Sequence, residues 1–344
     1  MTVFWSSPGI TMTGSGDVAR YDPRIGSERY RLARDWLDST GREIGFASFA
    51  FDRDTPGSVV LAPQGIVPSV PTGTTTPPGR VVDDGRSDWE AGYLVAMAEL
   101  SAARVGKVVL ARQVELDFDD PVPVPTIVER LVEANPDTYV FSVDGMVGAC
   151  PELLVSVDGD QVTSLVLAGT ARTAEGLDSN KISDEHRYAA DSVASALADL
   201  TIDLVGEQSV LTFGMINHVG TRFIGRRRPG VGILDLVAAL HPTASVGGTP
   251  SAEAVALIRG IEPRSRGNYA GPIGWFDTAG NGEFSLALRC GLIRSNRVTL
   301  YAGGGLVATS DRESEWDETE LKLGPMLQAL NVKPNPAWSP GAKR

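Results

Sequence analysis

The sequence predicts an α+β fold built on antiparallel sheet, and three observations carry that reading. Short apolar runs follow one another through hairpin-type turns, notably Asp158-Gly159, Asn281-Gly282 and Ser295-Asn296. Helical stretches are interspersed among these runs without the strict alternation of a doubly wound order. No G-x-G-x-x-G follows a strand, which disfavours a dinucleotide fold. At 344 residues the chain is long for one core, yet within reach of a single large unit, and 42% hydrophobic with 22% charged residues is ordinary for a globular protein.

The elements follow in order. Residues 44–51 and 58–63 read as strands around the turn-forming Asp52-Arg53-Asp54-Thr55-Pro56-Gly57. Residues 71–87, rich in Pro, Thr and Gly, read as a linker or exposed loop. Trp89, Tyr93, Met97 and Leu100 fall at helical spacing and predict a helix over 88–104. A strand over 108–116, a helix over 126–134 and a strand over 138–143 come next, then strands over 153–157 and 161–166 about Asp158-Gly159. Helix is predicted over 184–205, strand over 215–224, and helix over 233–240 and 250–261, with Pro250 suited to a first helical position. Strands over 270–277, 283–294 and 298–302 precede a closing helix over 314–331 and a Pro-rich tail. No internal repeat is visible.

Charge and cysteine content narrow the function. A net charge of −12 argues against nucleic acid as the main partner, because phosphate needs basic stripes. An anionic substrate would need a local basic pocket, for which Lys107, Arg289 and Lys322 are candidates. Cys150 and Cys290 lie in apolar runs and read as buried free thiols of a reducing compartment. Two cysteines and three scattered histidines do not make a zinc site. Neither a secretory leader nor a membrane span is evident, so a cytoplasmic location is expected, and a monomer is the default.

Several segments could carry chemistry. Glu315-Trp316-Asp317-Glu318-Thr319-Glu320-Leu321-Lys322 puts Glu315, Glu318 and Lys322 on one helical stripe after the glycine run Gly303-Gly304-Gly305. Two carboxylates and an ammonium beside a flexible glycine backbone suit a hard divalent cation holding an anionic substrate, although a solvated helix with an i,i+4 ion pair reads the same way. Lys107 opens a strand, where desolvation can take its proton or solvent can keep it charged. Glu152, after Cys150-Pro151, is either a shielded acid or a strand-edge carboxylate. Leu167-Ala168-Gly169-Thr170 allows close ligand approach or a plain turn. Glu185 begins a helix and reads as a metal ligand or a partner of the helix dipole. His241 leads a loop rich in small residues, His241-Pro242-Thr243-Ala244-Ser245-Val246-Gly247-Gly248, and Arg289 within Ser285–Cys290 implies a buried anionic partner.

Taken in order, these segments resemble the chorismate-utilising enzymes, and among them isochorismate synthase. The matching pieces are Lys107–Arg112, Pro151–Leu154, Leu167–Thr170, Glu185-His186, His218, the His241–Gly248 loop, Arg266-Gly267-Asn268-Tyr269-Ala270-Gly271-Pro272-Ile273-Gly274-Trp275, Leu288–Cys290, Tyr301–Gly305 and Glu315–Thr319 with Lys322, spanning about residues 88–331. The resemblance implies large antiparallel β-sheets forming a sandwich core with helices packed outside, as in anthranilate synthase component I. It implies an abbreviated β-rich N-terminal segment and linker (1–87) within the same fold, a chorismate-binding catalytic domain (88–333) and a tail (334–344).

The resemblance also implies a reaction and a cofactor. Water attacks C2 of chorismate while the C4 hydroxyl leaves, with Lys107 as general base and Glu152 as general acid. Magnesium is held by Glu185, Glu318 and Glu315. Arg289, Tyr301 and the Gly303, Gly304 and Gly305 backbone take the enolpyruvyl carboxylate; Gly169, Thr170, His218, Ser245 and Lys322 line the substrate. Lys107 stands where ammonia-using relatives have glutamine, and so points to water as nucleophile. The His241 loop favours isochorismate synthase over salicylate synthase, which eliminates pyruvate as well. Ser245 departs from both patterns, which have alanine and threonine respectively. Lys181-Ile182-Ser183-Asp184 and the short loop before it also depart from the family. A non-catalytic chorismate binder is the remaining alternative. The product would feed menaquinone or siderophore synthesis.

Overall fold

The computed structural model describes residues 2–171, 177, 180–213 and 216–333, with backbone alone for 169–171, 180–182, 184, 185 and 216. The chain opens with β1 (Phe4–Ser7), β2 (Ile10–Tyr21), α1 (Arg29–Thr40), β3 (Ile44–Ser48), β4 (Val59–Val67) and β5 (Gly79–Asp83). It continues through α2 (Arg86–Ser101), β6 (Lys107–Phe118), α3 (Val124–Ala134), β7 (Tyr139–Val143), β8 (Met146–Cys150), β9 (Leu153–Asp158) and β10 (Gln161–Ala171). Next come α4 (Asn180–Leu197), β11 (Thr201–Phe213), β12 (Ile216–Arg227), α5 (Ile233–Leu240), β13 (Gly248–Thr249) and α6 (Ser251–Ile261). The described chain closes with β14 (Pro272–Asp277), β15 (Gly282–Leu286), β16 (Cys290–Arg294), β17 (Arg297–Leu306) and α7 (Arg312–Leu330).

Among the described residues, 17 strands join one hydrogen-bonded network. The described pairings are antiparallel, as the hairpin punctuation predicts. Alternation along the strands builds two apolar cores on opposite faces. Phe4 and Trp5 are neighbours on β1, yet Phe4 joins Val114, Leu116, Leu300 and Leu327 while Trp5 joins Phe46, Phe141, Val155 and Phe284. Period-two side-chain direction produces this split. β6 and β17 run side by side from Val108↔Leu306 to Asp117↔Arg297 and pass from one core to the other. α3 and α7 cover the second core; α1, α2, α4, α5 and α6 border the first. Among the described residues no helix is long and apolar enough to cross a membrane.

Five local expectations need correction. The stretch read as a linker contains β5, a half-exposed strand that pairs with β6. The helix predicted over 184–205 stops at Leu197; Thr201-Ile202 begins β11, where β-branched residues favour a strand. The strand predicted over 283–294 is broken at residues 287–289, and Arg289 sits in the break at φ 48°, outside the strand. The glycine run is not a flexible loop but part of β17, with Gly303, Gly304 and Gly305 opposite Ala111, Leu110 and Val109. Pro250 caps α6 from just outside the helix. The tail from residue 334 lies outside the described residues.

Candidate active site

A cavity enclosing about 700 Å³ of empty space, part of it open to solvent, lies between the ends of β6, β9, β10, β12 and β17 and the helix α7. Eight of the predicted site residues meet on its wall: Glu152, His218, Ser245, Arg289, Tyr301, Gly303, Gly305 and Lys322. They come from segments far apart in sequence, so long-range sheet pairing assembles the site.

Glu152 occupies the corner between β8 and β9 and is 5% exposed. Its backbone is clamped on both sides: the Ser285 hydroxyl donates to Glu152 O at 2.6 Å, and the Glu152 N–H donates to Cys150 Sγ at 3.4 Å. Ser245 Oγ donates to its carboxyl Oε1 at 2.8 Å. Burial pushes this carboxyl up to about 7, against the opposing pull of the Ser245 hydroxyl, the Leu167 N–H, Lys107 and Lys322. A carboxyl near 7 is half protonated at neutral pH, the state a general acid needs.

Lys107 is fully buried at the head of β6. It does not line the cavity wall, but its charge acts on Glu152. Its backbone lies opposite Thr249 of β13, and a Cβ at Gly248 would stand 2.2 Å from Lys107 O, so only glycine fits at that position. The Val246-Gly247-Gly248 motif is therefore a close backbone approach that holds the lysine strand. Arg266 ties the same two segments together: it donates to Val109 O at 2.7 Å and Val246 O at 2.9 Å while paired with Glu262 at 2.5 Å.

Also on the cavity wall, burial pushes His218 down to about 3, with the Arg289 and Lys322 cations adding to the effect, so the imidazole is neutral at pH 7. Burial lowers the Arg289 guanidinium from its ordinary value, and the Glu318 and Glu152 carboxylates oppose that. Tyr301 stacks on Tyr269 with ring centres 5.0 Å apart and planes 9° from parallel, making a flat aromatic floor.

The α7 stripe forms as predicted. Lys322 Nζ donates to Glu318 Oε1 at 2.6 Å and Gly303 O at 2.8 Å, which joins the helix to the glycine strand. Glu315 is 1% exposed, and its Oε2 would stand 3.2 Å from a Cβ at Gly304. The absent side chain at 304 is what makes room for that carboxylate. The donors are hard carboxylate oxygens, the chemistry a magnesium ion prefers. Among the described residues no three acidic, histidine or cysteine side chains converge as a formed metal site. The side chains of Glu185 and Thr170 lie outside the described residues, and Gly169 is described by its backbone; the Thr170 backbone pairs with His218 across β10 and β12.

Three contributors carry no role in the sequence reading: Tyr269, Thr243 and the Glu262–Arg266 pair. Tyr269 and Arg266 stand in a stretch that matched by motif alone. The Glu262–Arg266 spacing of four was a usable signal, but only burial distinguishes it from a solvated pair.

Isochorismate synthase MenF of Bacillus subtilis (strain 168) is 35% identical over 71% of this chain, which spans 56% of that protein. Isochorismate synthase EntC of Escherichia coli (strain K12) is 30% identical, over 96% of this chain and 94% of its own length. The DhbC structure from Bacillus anthracis superposes with a TM-score of 0.87 at 29% identity, covering 96% of each chain. A family model described as "Chorismate binding enzyme" matches residues 74–331, a span that holds every cavity residue named above. On that match, and on its relation to EntC over nearly the whole of both chains, this protein belongs to the chorismate binding enzyme family.

Proposed function

We propose that the protein is a magnesium-dependent isochorismate synthase, supplying menaquinone or siderophore synthesis. The observation that carries the reading is Glu152, a buried carboxyl raised to about 7 on a cavity wall, with a fully buried lysine acting on it. Lys107 takes a proton from the water that attacks C2 of chorismate. Glu152 gives its proton to the departing C4 hydroxyl, so the leaving group is water rather than hydroxide. Arg289 supplies a partly desolvated cation for the enolpyruvyl carboxylate, and Tyr301 on Tyr269 gives the ring a flat surface. Neutral His218 fills the wall without adding a positive charge beside Arg289. Glu315 and Glu318, with Glu185, would hold magnesium. When bound, the ion would neutralise the ring carboxylate and draw charge from the reacting diene. Lys322, which donates to Glu318 Oε1 at 2.6 Å, holds that carboxylate in place beside the glycine strand. The enzyme acts as a monomer in the cytoplasm.

Product chromatography after incubation with chorismate tests the reading. Isochorismate accumulates with magnesium and is lost with a chelator, while salicylate with pyruvate would point to a salicylate synthase instead. No turnover in either condition overturns the assignment and leaves a binding protein.

The pH dependence has a fixed sign. Glu152 acts as its protonated form, so kcat falls as pH rises through about 7. A kcat that is flat from pH 6 to 9 would remove Glu152 from the acid role.

A further inference from the structure

The Glu152 carboxyl is met by a second hydroxyl behind the first. Ser245 Oγ donates to Glu152 Oε1 at 2.8 Å and stands 2.7 Å from Thr243 Oγ1. A hydroxyl has one proton to give. Ser245 gives its own to Glu152, so Thr243 is the donor in the contact between the two hydroxyls. The hydrogen bonds therefore run in one direction, from Thr243 to Ser245 to Oε1.

The loop that carries them is pinned. Gly247 N–H donates to Thr243 O at 3.0 Å, Ala244 N–H to Ser192 Oγ at 3.2 Å, and Arg266 holds Val246 O at 2.9 Å. Thr243 is 2% exposed, so water does not compete for its hydroxyl.

A protonated carboxyl keeps one acceptor oxygen and one hydroxyl. A donor locked onto Oε1 leaves Oε2 to carry the proton. We infer that Thr243 and Ser245 are positioning residues for the catalytic acid, a two-hydroxyl relay that reserves Oε1 as an acceptor and so fixes which oxygen of Glu152 delivers its proton. The kinetic part of this inference rests on the isochorismate synthase reading; the hydrogen-bond part does not. The other groups acting on the carboxyl are Lys107 from β6, Lys322 from α7, Arg289 from the break before β16, Cys150 from β8 and the Leu167 N–H from β10. The relay is the only one of these inputs that a single side-chain oxygen removes without changing net charge.

Two measurements on Ser245→Ala, Ser245→Thr and Thr243→Val test it. The first is the kcat–pH profile with chorismate and magnesium. The second is an infrared titration of the protonated-carboxyl band in the substrate-free protein, assigned by its loss in Glu152→Gln. Losing a neutral donor to a carboxylate raises its pKa by about one unit. Ser245→Ala therefore moves both the band and the alkaline limb of kcat upward by that amount and lowers kcat severalfold with KM little changed. Ser245→Thr restores both, and Thr243→Val gives a smaller shift of the same sign. An unmoved band in folded Ser245→Ala overturns the relay. If the band moves but the unaltered protein never turns over chorismate, the relay stands and the assigned reaction fails.

Discussion

Glu152→Gln lowers kcat by about 10²- to 10⁴-fold, the usual worth of a positioned general acid, and at the same time makes the protein more stable above neutral pH. The two effects have one cause. Burial holds the carboxyl at about 7 in the folded chain, above its ordinary 4.5. Below pH 4.5 it is protonated in both states and has no effect on the balance. As pH rises to 7 the unfolded chain ionises it and the folded chain does not, so folding is progressively disfavoured. Above 7 the penalty is full, at up to about 3 kcal/mol. Glutamine cannot ionise, keeps an acceptor for Ser245, and escapes that penalty. Urea denaturation at pH 5 and at pH 8.5 should show the variant gaining on the parent only at the higher pH. Lys107→Ala gives a comparable loss of turnover from the base side of the proton balance. Equal stability of Glu152→Gln and parent at both pH values would mean that Glu152 is not desolvated, and near-normal turnover would withdraw it from the mechanism.

Arg266→Ala destabilises the fold by about 3–5 kcal/mol, while removing Glu262 and Arg266 together for methionines costs less, because no unpaired charge stays buried. The Arg266 and Glu262 side chains are 3% and 8% exposed. Loss of the arginine alone strands a buried carboxylate as well as two carbonyls, Val109 O and Val246 O; loss of both charges removes the unpaired carboxylate, and leaves those carbonyls and the Ala111 N–H without their side-chain partners. The double variant should therefore recover part of the urea midpoint but little of the activity. Its Lys107 strand and Ser245 loop have lost their common anchor. Additive losses in the two single variants and the pair would show that the ion pair is not coupled.

The fold was legible wherever local chemistry sets it. Asp158-Gly159 turns β9 into β10 as its composition demands, and the glycine-free amphipathic run after Pro123 forms α3. The failures share a cause: the decisive contact is distant. β5 is a strand because β6 offers an edge to it, and Arg289 interrupts its strand because the cavity takes the side chain. The site followed the same division. Residues in recognisable segments, such as Glu152 and the Glu318–Lys322 pair, could be named in advance. Thr243 could not, since its role exists only once β8 and the His241 loop are brought together.

The pairing of β3 with β14 sets a timetable for synthesis. Ser48 finds its partner Ile273 about 225 residues further along the chain. At roughly 5–20 residues per second, that edge of β3 waits on the order of 10–45 s on the ribosome before its hydrogen bonds can close. During that interval Phe46 and Ala47, both fully buried in the finished protein, have only β4 beside them. The nascent chain therefore carries a sticky, half-built sheet for most of its translation. Yield in a cell should track translation speed and holding chaperones more closely than it tracks the stability of the finished enzyme.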